Sequence, residues 1–491
     1  MDNPIPSTYI DYLHTLPGVN ADALAEALQT PPAVGIRINQ RKFSLSGISE
    51  IYPDSSGVEW CQSGVNLNRR PVFTINPLLH AGAFYVQDAS SMIYEQVMTT
   101  LRGKIARQSI NILDFCAAPG GKTTAMINAL NDTDIVVANE YVATRGKVLR
   151  ENLQKWGFSN LITTGDSSDR YAVLPPVFDI IAVDAPCSGE GMMRKEEVAR
   201  TQWSEKLVDD CASLQRDILS DLAVALRPGG YLIYSTCTFN LHENEENARY
   251  IRDTLGFTQI PINSLNLTGL DKIGRSLFPD IEALRFMPHL TPNGEGLFIT
   301  VFQKPGIENP ETSSVAVALA IDKKVDKKGK KKGKNSAKGN ENGSAETLSG
   351  DNLRWLKGVV KSGKEVDFEV TPAGVFARPS SVIPMRTLLE QKGIHVTSSG
   401  VPAGELKGKN LIPDSRLVLS DLYDTASLPE VEVDEDMALS YLRRESFALP
   451  PNISKGYVVI KYKGVPLGLM KNLGNRANNL FHAPWRIKMQ N

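Results

Sequence analysis

Two cysteines and one aspartate follow apolar segments that are predicted to be strands. The run Phe178–Asp184 (FDIIAVD) ends in Asp184, and Ala-Pro-Cys187 comes next; the run 231–235 (YLIYS) is followed by Thr-Cys237. Ligands of a doubly wound sheet bind outside the carboxyl ends of its strands, so we expect both thiols and the acid to face one crevice. One cysteine after a strand would more often be a small buried apolar residue. Two thiols beside an acid therefore indicate a catalytic site.

A Gly-rich turn supplies the candidate cofactor site. Residues 111–124 (NILDFCAAPGGKTT) predict a buried strand, a tight turn and the start of a helix. Gly120 and Gly121 can adopt positive φ and let a ligand approach the backbone, and the first amides of the helix then face that ligand. A phosphate-binding P-loop would need a glycine where Cys116 stands, and Pro119 lacks an amide hydrogen.

An acid closes the next predicted strand. Residues 135–140 (IVVANE) form an apolar run that ends in Glu140. In cofactor-binding α/β folds, an acid at this point holds the ribose hydroxyls. A merely tight turn would explain the glycines but not this acid, so the pattern favours S-adenosylmethionine over ATP.

Two thiols, a carboxylate and a methyl donor suit methylation of a pyrimidine at C5, which is a poor nucleophile. A thiolate that adds to C6 turns the ring into an enamine, and C5 can then attack the methyl group. A carboxyl group that hydrogen-bonds N3 of cytosine makes C6 more electrophilic, and Asp184 is the candidate. A base must then remove the C5 proton, and a second thiol is placed to assist release.

An alternating β/α domain is needed to position these residues, and the stretch from residue 111 to about 304 has that pattern. The apolar runs predict a doubly wound parallel sheet with crossover helices. A last apolar run at 296–302 (GLFITVF) predicts an antiparallel strand at the sheet edge.

The flanking segments differ in composition from this core. Residues 9–16 and 21–28 predict short helices, and residues 33–39 predict a strand. Residues 321–346 are mostly Lys, Gly, Asn and Ser, which predicts a disordered linker. We expect four regions in chain order: an N-terminal α/β module, a catalytic domain, a lysine-rich linker and a C-terminal β-rich region, at residues 1–103, 104–305, 306–350 and 351–491.

Basic and aromatic residues interleave near the end of the chain, which favours an RNA-binding β module over an ordinary polar hairpin. Residues 456–470 predict a hairpin in this part of the chain. The cations expected to meet phosphates are Lys461, Lys463, Lys471, Arg476 and Arg486. The aromatic residues expected to stack on bases are Tyr457, Tyr462, Phe481 and Trp485.

Whole-chain composition excludes several classes of protein. The net charge of the 491 residues is −1, so any nucleic-acid surface must be local. The five cysteines show no C-x-x-C pairing, so neither a disulfide scaffold nor a metal site is expected; they are Cys61, Cys116, Cys187, Cys211 and Cys237. No signal peptide and no apolar run of membrane-spanning length is visible, so we expect a cytoplasmic protein with reduced thiols.

Three segments resemble the signature blocks of the Sun (Nop/Fmu) family of RNA cytosine-5 methyltransferases: LDFCAAPGGKTT, VDAPCSGEG and STCTFNLHENE. The order of the regions resembles the RsmF branch, which acts on small-subunit ribosomal RNA. The resemblance implies a Rossmann-like S-adenosylmethionine methyltransferase domain, a small N-terminal α/β RNA-binding module and a C-terminal PUA-like RNA-binding region. It implies RNA as the partner (16S ribosomal RNA or the small subunit), with no DNA and no membrane, and we expect a monomer.

Position by position, the resemblance implies a role for each motif residue. Cys237 is the expected nucleophile, and Cys187 is the thiol needed for product release. Asp184 faces both cofactor and base, Glu140 contacts the ribose, and Asp166 lies near the adenine. The expected cofactor lining is completed by Cys116, Ala117, Ala118, Pro119, Gly120, Gly121 and Lys122.

Other functions remain open at this point. The same chemistry could act on tRNA, and a noncatalytic RNA-binding ribosome-assembly factor could keep the fold without needing both thiols. The family pattern also has a basic pair after the second motif, at Arg194 and Lys195, and the resemblance implies contact with RNA there. The target cytosine should be unpaired or extruded from its helix.

Overall fold

The first region is a four-stranded antiparallel sheet with short helices around it. The computed structural model describes residues 4–307, 315, 319 and 348–488, so the predicted lysine-rich run lies outside the described residues. The sheet has the order β2-β3-β1-β4. The elements are α1 (Ser7–Leu13), α2 (Ala21–Ala27), β1 (Val34–Ile38), α3 (Leu45–Ile51), β2 (Ser56–Val58), β3 (Cys61–Leu67), α4 (Pro77–His80) and β4 (Phe84–Val86).

A ten-stranded mixed sheet forms the centre of the described chain. Its strands from the middle region are β5 (Asn111–Phe115), β6 (Ile135–Asn139), β7 (Leu161–Thr164), β8 (Phe178–Asp184), β9 (Leu226–Thr236), β10 (Thr258–Gln259), β11 (Gly274–Arg275), β12 (Leu284–Phe286) and β13 (Leu297–Gln303). The tenth strand, β16 (Val396–Ser399), comes from the C-terminal region. The order is β11-β12-β13-β9-β8-β5-β6-β7-β16, and β10 pairs with β13.

The predicted doubly wound sheet is confirmed. Strands β5 to β9 run parallel to one another, and β5 and β6 are buried along their whole length, as continuous apolar runs require. Strand β13 is antiparallel to β9, as predicted, but it is not at the edge because β12 pairs with its other side.

Crossover helices cover both faces of this sheet. They are α5 (Ile93–Lys104), α6 (Gly121–Asn128), α7 (Ala143–Trp156), α8 (Glu197–Gln202), α9 (Glu205–Ala225) and α10 (Glu245–Arg249). The side chain of Ser204 caps the first turn of α9 by accepting from the amide of Leu207, and Gly157 ends α7 in the left-handed conformation. Of the described helices, none has the length and apolar character needed to cross a membrane.

Two further four-stranded sheets lie in the C-terminal part of the described chain. The first has the order β14-β15-β17-β18 and the second β19-β20-β21-β22. The helices are α11 (Gly350–Val359), α12 (Val382–Gln391), α13 (Ser415–Val418) and α14 (Glu435–Leu442). The strands are β14 (Val366–Thr371), β15 (Gly374–Pro379), β17 (Val401–Lys407), β18 (Asn410–Pro413), β19 (Glu430–Glu432), β20 (Gly456–Tyr462), β21 (Val465–Asn472) and β22 (Ala477–Asn479).

The C-terminal region packs into the rest of the molecule. Strand β16 pairs antiparallel with β7, and Leu388 and Leu389 of α12 are buried in one of the hydrophobic cores of the central sheet. The second C-terminal sheet shares a core with the N-terminal sheet, in which Ile36 and Val458 are both buried. The hairpin predicted at residues 456–470 is confirmed as β20–β21, and β14 and β15 form a second antiparallel hairpin.

Candidate active site

The two thiols predicted to meet lie side by side. Strands β8 and β9 are parallel neighbours, and Asp184 pairs with Ser235 at their carboxyl ends. The Sγ atoms of Cys187 and Cys237 are 3.1 Å apart. The hydrogen bond to Cys237, together with burial, raises the pKa of the Cys187 thiol well above its usual value. Cys187 is therefore held protonated beside Cys237.

A buried polar network fixes the two loops that carry these thiols. The carboxylate of Glu243 accepts from the amide of Ser188 at 3.0 Å and from Nδ2 of Asn240 at 2.7 Å. Glu190 accepts from the amides of Phe239 and Asn240, at 2.6 and 2.9 Å. Burial, and then the charge of Glu190, raises the pKa of Glu243 to about 7. The network joins the Cys187 loop to the Cys237 loop. Its residues lie in the segments VDAPCSGEG and STCTFNLHENE, but the sequence alone indicated no role for them.

An ion pair stands at the same end of the sheet. Nζ of Lys122, in the first turn of α6, lies 2.7 Å from Oδ2 of Asp184. Oδ1 of Asp184 accepts from the hydroxyl of Ser235 at 2.7 Å, and that hydroxyl is bonded to the hydroxyl of Tyr94 at 2.8 Å. Burial by itself would lower the pKa of Lys122, but the attraction of Asp184 outweighs burial and raises it. The ion pair fixes the positions of the Lys122 ammonium group and the Asp184 carboxylate.

The predicted cofactor loop joins β5 to α6. Gly120 has φ of 107°, whereas Gly121 is already the first residue of the helix. The other positive φ in the loop belongs to Cys116, at 64°, and the bond from Ala118 to Pro119 is cis. Because α6 begins directly after this loop, the amides of its first turn face the crevice.

Two buried acceptors near the carboxyl ends of β5 and β6 have no hydrogen-bond donor among the described residues. They are Oδ1 of Asp114 and Oε2 of Glu140. Burial raises the pKa of Asp114 to about 7. The hydroxyl and ammonium donors of S-adenosylmethionine are chemically suited to such acceptors, so the crevice fits the predicted cofactor. Asp114 was missed in the sequence, although an acid inside an apolar strand was the available signal.

Asp166 and Glu140 lie at neighbouring strand ends. Oε1 of Glu140 accepts from the amide of Val142 at 2.9 Å. The amide of Asp166 donates to Oδ1 of Asn139 at 3.1 Å. Oδ2 of Asp166 accepts from the amide of His395, just before β16, at 2.5 Å. The predicted adenine-side residue is therefore positioned partly by the C-terminal region.

Arg194 of the basic pair is unsuited to RNA contact. Its guanidinium is buried and donates to four main-chain carbonyls, those of Thr30, Pro31, Pro292 and Gly294. Lys195 is more exposed, with Nζ 3.8 Å from Oε1 of Glu295.

The prediction that aromatic residues near the chain end stack on bases is wrong for most of them. Phe481 and Trp485 are only 1% and 6% exposed because they pack into the core shared with the N-terminal sheet, and Tyr462 is buried as well. Tyr457 is half-buried, with Nζ of Lys471 5.4 Å from its ring centre. Most of the cations predicted to meet phosphates are accessible. Lys463, Lys471, Arg476 and Arg486 are exposed, whereas Lys461 pairs with Glu430.

Comparison with known families covers most of the chain. Residues 104–303 match the 16S rRNA methyltransferase RsmB/F family. Residues 5–89 match the N-terminal domain of 16S rRNA methyltransferase RsmF, and residues 428–487 match the methyltransferase RsmF PUA domain.

Individual relatives agree with these matches. The ribosomal RNA small subunit methyltransferase F of Vibrio vulnificus (strain YJ016) is 29% identical over 97% of this chain and 96% of its own. The protein of the same name from Shewanella loihica is 30% identical over 86% of this chain and 82% of its own.

Solved structures show the same fold. A methyltransferase homolog protein from Pyrococcus horikoshii has a TM-score of 0.51 and 26% identity, and the match covers 61% of this chain and 95% of that one. NSun6 from Pyrococcus horikoshii has a TM-score of 0.52 at 18% identity, covering 62% of this chain and 99% of that one. The matches confirm the predicted S-adenosylmethionine-dependent RNA cytosine-5 methyltransferase, and the chain belongs to the ribosomal RNA small subunit methyltransferase F family.

Proposed function

We propose that this enzyme methylates C5 of a cytosine in 16S ribosomal RNA, with Cys237 as the nucleophile and Cys187 as the thiol that assists release. The observation that carries the proposal is the pair of thiols 3.1 Å apart, next to the ion pair of Lys122 and Asp184. A noncatalytic assembly factor would have no need for this arrangement.

Cys237 acts first, as a thiolate that forms a bond to C6 of the cytosine. The electrons of the C5–C6 double bond shift toward N3, which takes up a proton from solvent, and the carboxylate of Asp184 accepts a hydrogen bond from that N3–H and so favours the shift. Bound S-adenosylmethionine would supply an electrophilic methyl group; C5 would bond to that carbon as its bond to the sulfonium sulfur breaks, with S-adenosylhomocysteine as the leaving group. A base then takes the C5 proton, the electrons reform the C5–C6 bond, and the sulfur of Cys237 leaves.

Cys187 acts at the end of this sequence. Its raised pKa keeps the proton on its sulfur, next to the sulfur that must depart. A thiol in that position can protonate the departing thiolate of Cys237. Without Cys187, the bond between enzyme and RNA should persist.

The cofactor is held by residues at four strand ends, those of β5, β6, β7 and β8. In this proposal the loop from Cys116 to Lys122 contacts the methionine part, Glu140 the ribose and Asp166 the adenine, while Asp184 faces both cofactor and base. Support comes from Oε2 of Glu140, which accepts no hydrogen bond from the described residues although Nη1 of Arg145 lies 3.5 Å away, and from the position of these residues at neighbouring strand ends.

The small-subunit target rests on the relatives' names and on the order of the regions. We assign RNA binding to residues 1–103 and 351–491, catalysis to 104–305 and a linker to 306–350. A cytoplasmic monomer that acts on ribosomal RNA fits this arrangement, and the same chemistry on tRNA is the alternative.

Bisulfite mapping tests the target directly. Total RNA from cells that lack the protein is compared with RNA from cells that carry the wild type or Cys237→Ala. Loss of one modified cytosine from 16S ribosomal RNA, restored by the wild type alone, is the expected result. Loss of a modified cytosine from a tRNA would instead identify tRNA as the substrate. If no modified cytosine were lost from any RNA, the proposal would be contradicted.

A further inference from the structure

A guanidinium from the N-terminal sheet reaches the first turn of the cofactor helix. Arg37 on β1 is fully buried. Its Nη1 donates to the carbonyl of Thr124 at 3.1 Å, and its Nη2 to the carbonyl of Gly121 at 3.3 Å. Nη2 also donates to Oγ1 of Thr124 at 2.5 Å, and Nε to Oε1 of Gln87 at 2.8 Å. Arg37 thus binds main-chain groups on both sides of Lys122.

The groups around Arg37 stabilise the positive charge of its buried guanidinium. Oε2 of Glu95 lies 3.8 Å from Nη1, and the ring of Trp156 lies 4.8 Å from the guanidinium carbon. A planar group with donors on three nitrogens can span these acceptors at once, which the single ammonium of a lysine cannot do. The arrangement is rigid and specific to arginine.

We propose that Arg37 is a positioning residue of the cofactor site, although it lies outside the catalytic domain. By holding Gly121 and Thr124, it fixes the direction of the first turn of α6. That turn carries the amides that face the cofactor and the Lys122 side chain that pairs with Asp184. The inference rests on the proposed assignment of residues 116–122 to S-adenosylmethionine.

A neighbouring residue separates this role from general attachment of the N-terminal sheet. Asn39 follows β1, is fully buried, and donates from Nδ2 to the carbonyls of Gly82 and Trp156 at 3.0 and 2.9 Å. It therefore also joins the N-terminal region to the catalytic domain, but through the end of α7 rather than the cofactor helix. Asn39→Ala is the matched control for Arg37→Gln.

The test compares cofactor affinity with stability. Calorimetry gives the Kd for S-adenosylmethionine, steady-state kinetics give KM for cofactor and for RNA, and thermal unfolding gives Tm. Arg37→Gln should raise the Kd and the cofactor KM at least about tenfold, the equivalent of one hydrogen bond. The KM for RNA should stay within about twofold. Arg37→Lys should restore little, whereas Asn39→Ala should lower Tm with the Kd within about twofold.

A milder variant covers the case in which Arg37→Gln does not fold. Thr124→Val keeps the shape of the side chain but removes one acceptor of Arg37, together with the bonds that the same hydroxyl donates to the carbonyls of Gly120 and Gly121 at 2.8 and 3.0 Å, and it should raise the Kd in the same direction. Equal Kd changes in the Arg37 and Asn39 variants, or none in Arg37→Gln and Thr124→Val, would overturn the inference. A wild-type protein that does not bind S-adenosylmethionine would instead overturn the proposed function.

Discussion

The Sγ atom of Cys187 lies 3.1 Å from the Sγ atom of Cys237, although a long helix, α9, separates them in sequence. Two thiols at this distance can act on the same bond, one forming it and the other assisting its cleavage. We therefore expect substitution of Cys187 and substitution of Cys237 to have different effects on the reaction.

Replacing each thiol should therefore give a different product. Cys237→Ala should abolish methylation and leave no covalent RNA adduct, because the attacking sulfur is gone. Cys187→Ala should accumulate an adduct that survives denaturing electrophoresis, because release is slowed. The double variant is the control and should show no adduct. An adduct that depends on Cys187 but not on Cys237 would reverse the assignment.

Asp184→Asn should slow the chemical step while the protein still binds RNA. The substitution removes the charge that pairs with Lys122 and weakens the hydrogen bond to the base, so kcat should fall by about 10²–10⁴. Ser235→Ala is the matched control, since it removes only the 2.7 Å bond to Oδ1 and should cost far less. Single-turnover methylation measures both. Equal losses would mean that the aspartate acts through its local structure alone.

Lys42 predicts a pH dependence of stability. Its Nζ donates to the carbonyls of Ala81 and Lys155, at 2.9 and 2.6 Å, and burial, opposed by Asp421, lowers its pKa to about 7. An unfolded lysine titrates near 10.4, so between about pH 7 and 10 the unfolded chain binds more protons and stability rises with pH, by at most about 1.4 kcal/mol per pH unit. This contribution is smallest below pH 7.

Lys42→Met isolates that contribution because methionine does not titrate. The free energy of unfolding should be measured in denaturant at several pH values for both proteins. The wild type should gain stability over the variant as pH rises from about 7 to 10. A difference that stays constant over this range would show that the amine is charged in the folded state.

The exposed C-terminal cations should contribute to RNA affinity. Lys463→Glu and Arg476→Glu should weaken binding, and for each side chain that no longer neutralises a phosphate the log–log salt slope should fall by about 0.7–0.9. Lys104→Glu makes the same charge change at the end of α5, next to the amino ends of the central strands, and serves as the control. RNA affinity against salt concentration is the measurement. Equal slopes in all three variants would leave this surface without a role in RNA binding.

Deleting residues 351–491 should affect more than RNA binding. The sequence alone predicts that S-adenosylmethionine affinity is unchanged by this deletion. In the structure the deletion would remove Leu388 and Leu389, which are apolar partners of the central core, and the amide of His395 that binds Asp166. We therefore expect an unstable protein with weakened cofactor binding. A soluble, folded fragment with the wild-type Kd would contradict this expectation.

Local pattern was enough to predict much of the fold and the site. Continuous apolar runs predicted the parallel strands, and a cysteine after each of two runs predicted the thiol pair. Asp184 and Glu140 were visible because each ends such a run. These features depend on spacing along a short stretch of sequence.

Other features depend on contacts that spacing does not encode. Composition near the chain end suggested base stacking, but Phe481 and Trp485 are core residues, because composition does not show whether an aromatic side chain faces solvent or the core. Arg37 looked like an ordinary strand residue, and the composition of the 396–399 segment gave no indication of its partner strand. Such pairings are set by tertiary structure.

The position of β16 has a consequence for synthesis of the protein. The hydroxyls of Thr163 and Thr397 are hydrogen-bonded at 2.8 Å although the residues are 234 apart in the chain. As the polypeptide emerges from the ribosome N-terminus first, the outer edge of β7 stays uncovered until those later residues have been translated. An uncovered edge strand can pair with other chains, so the nascent protein passes through an aggregation-prone interval of about 12–47 s at typical elongation rates.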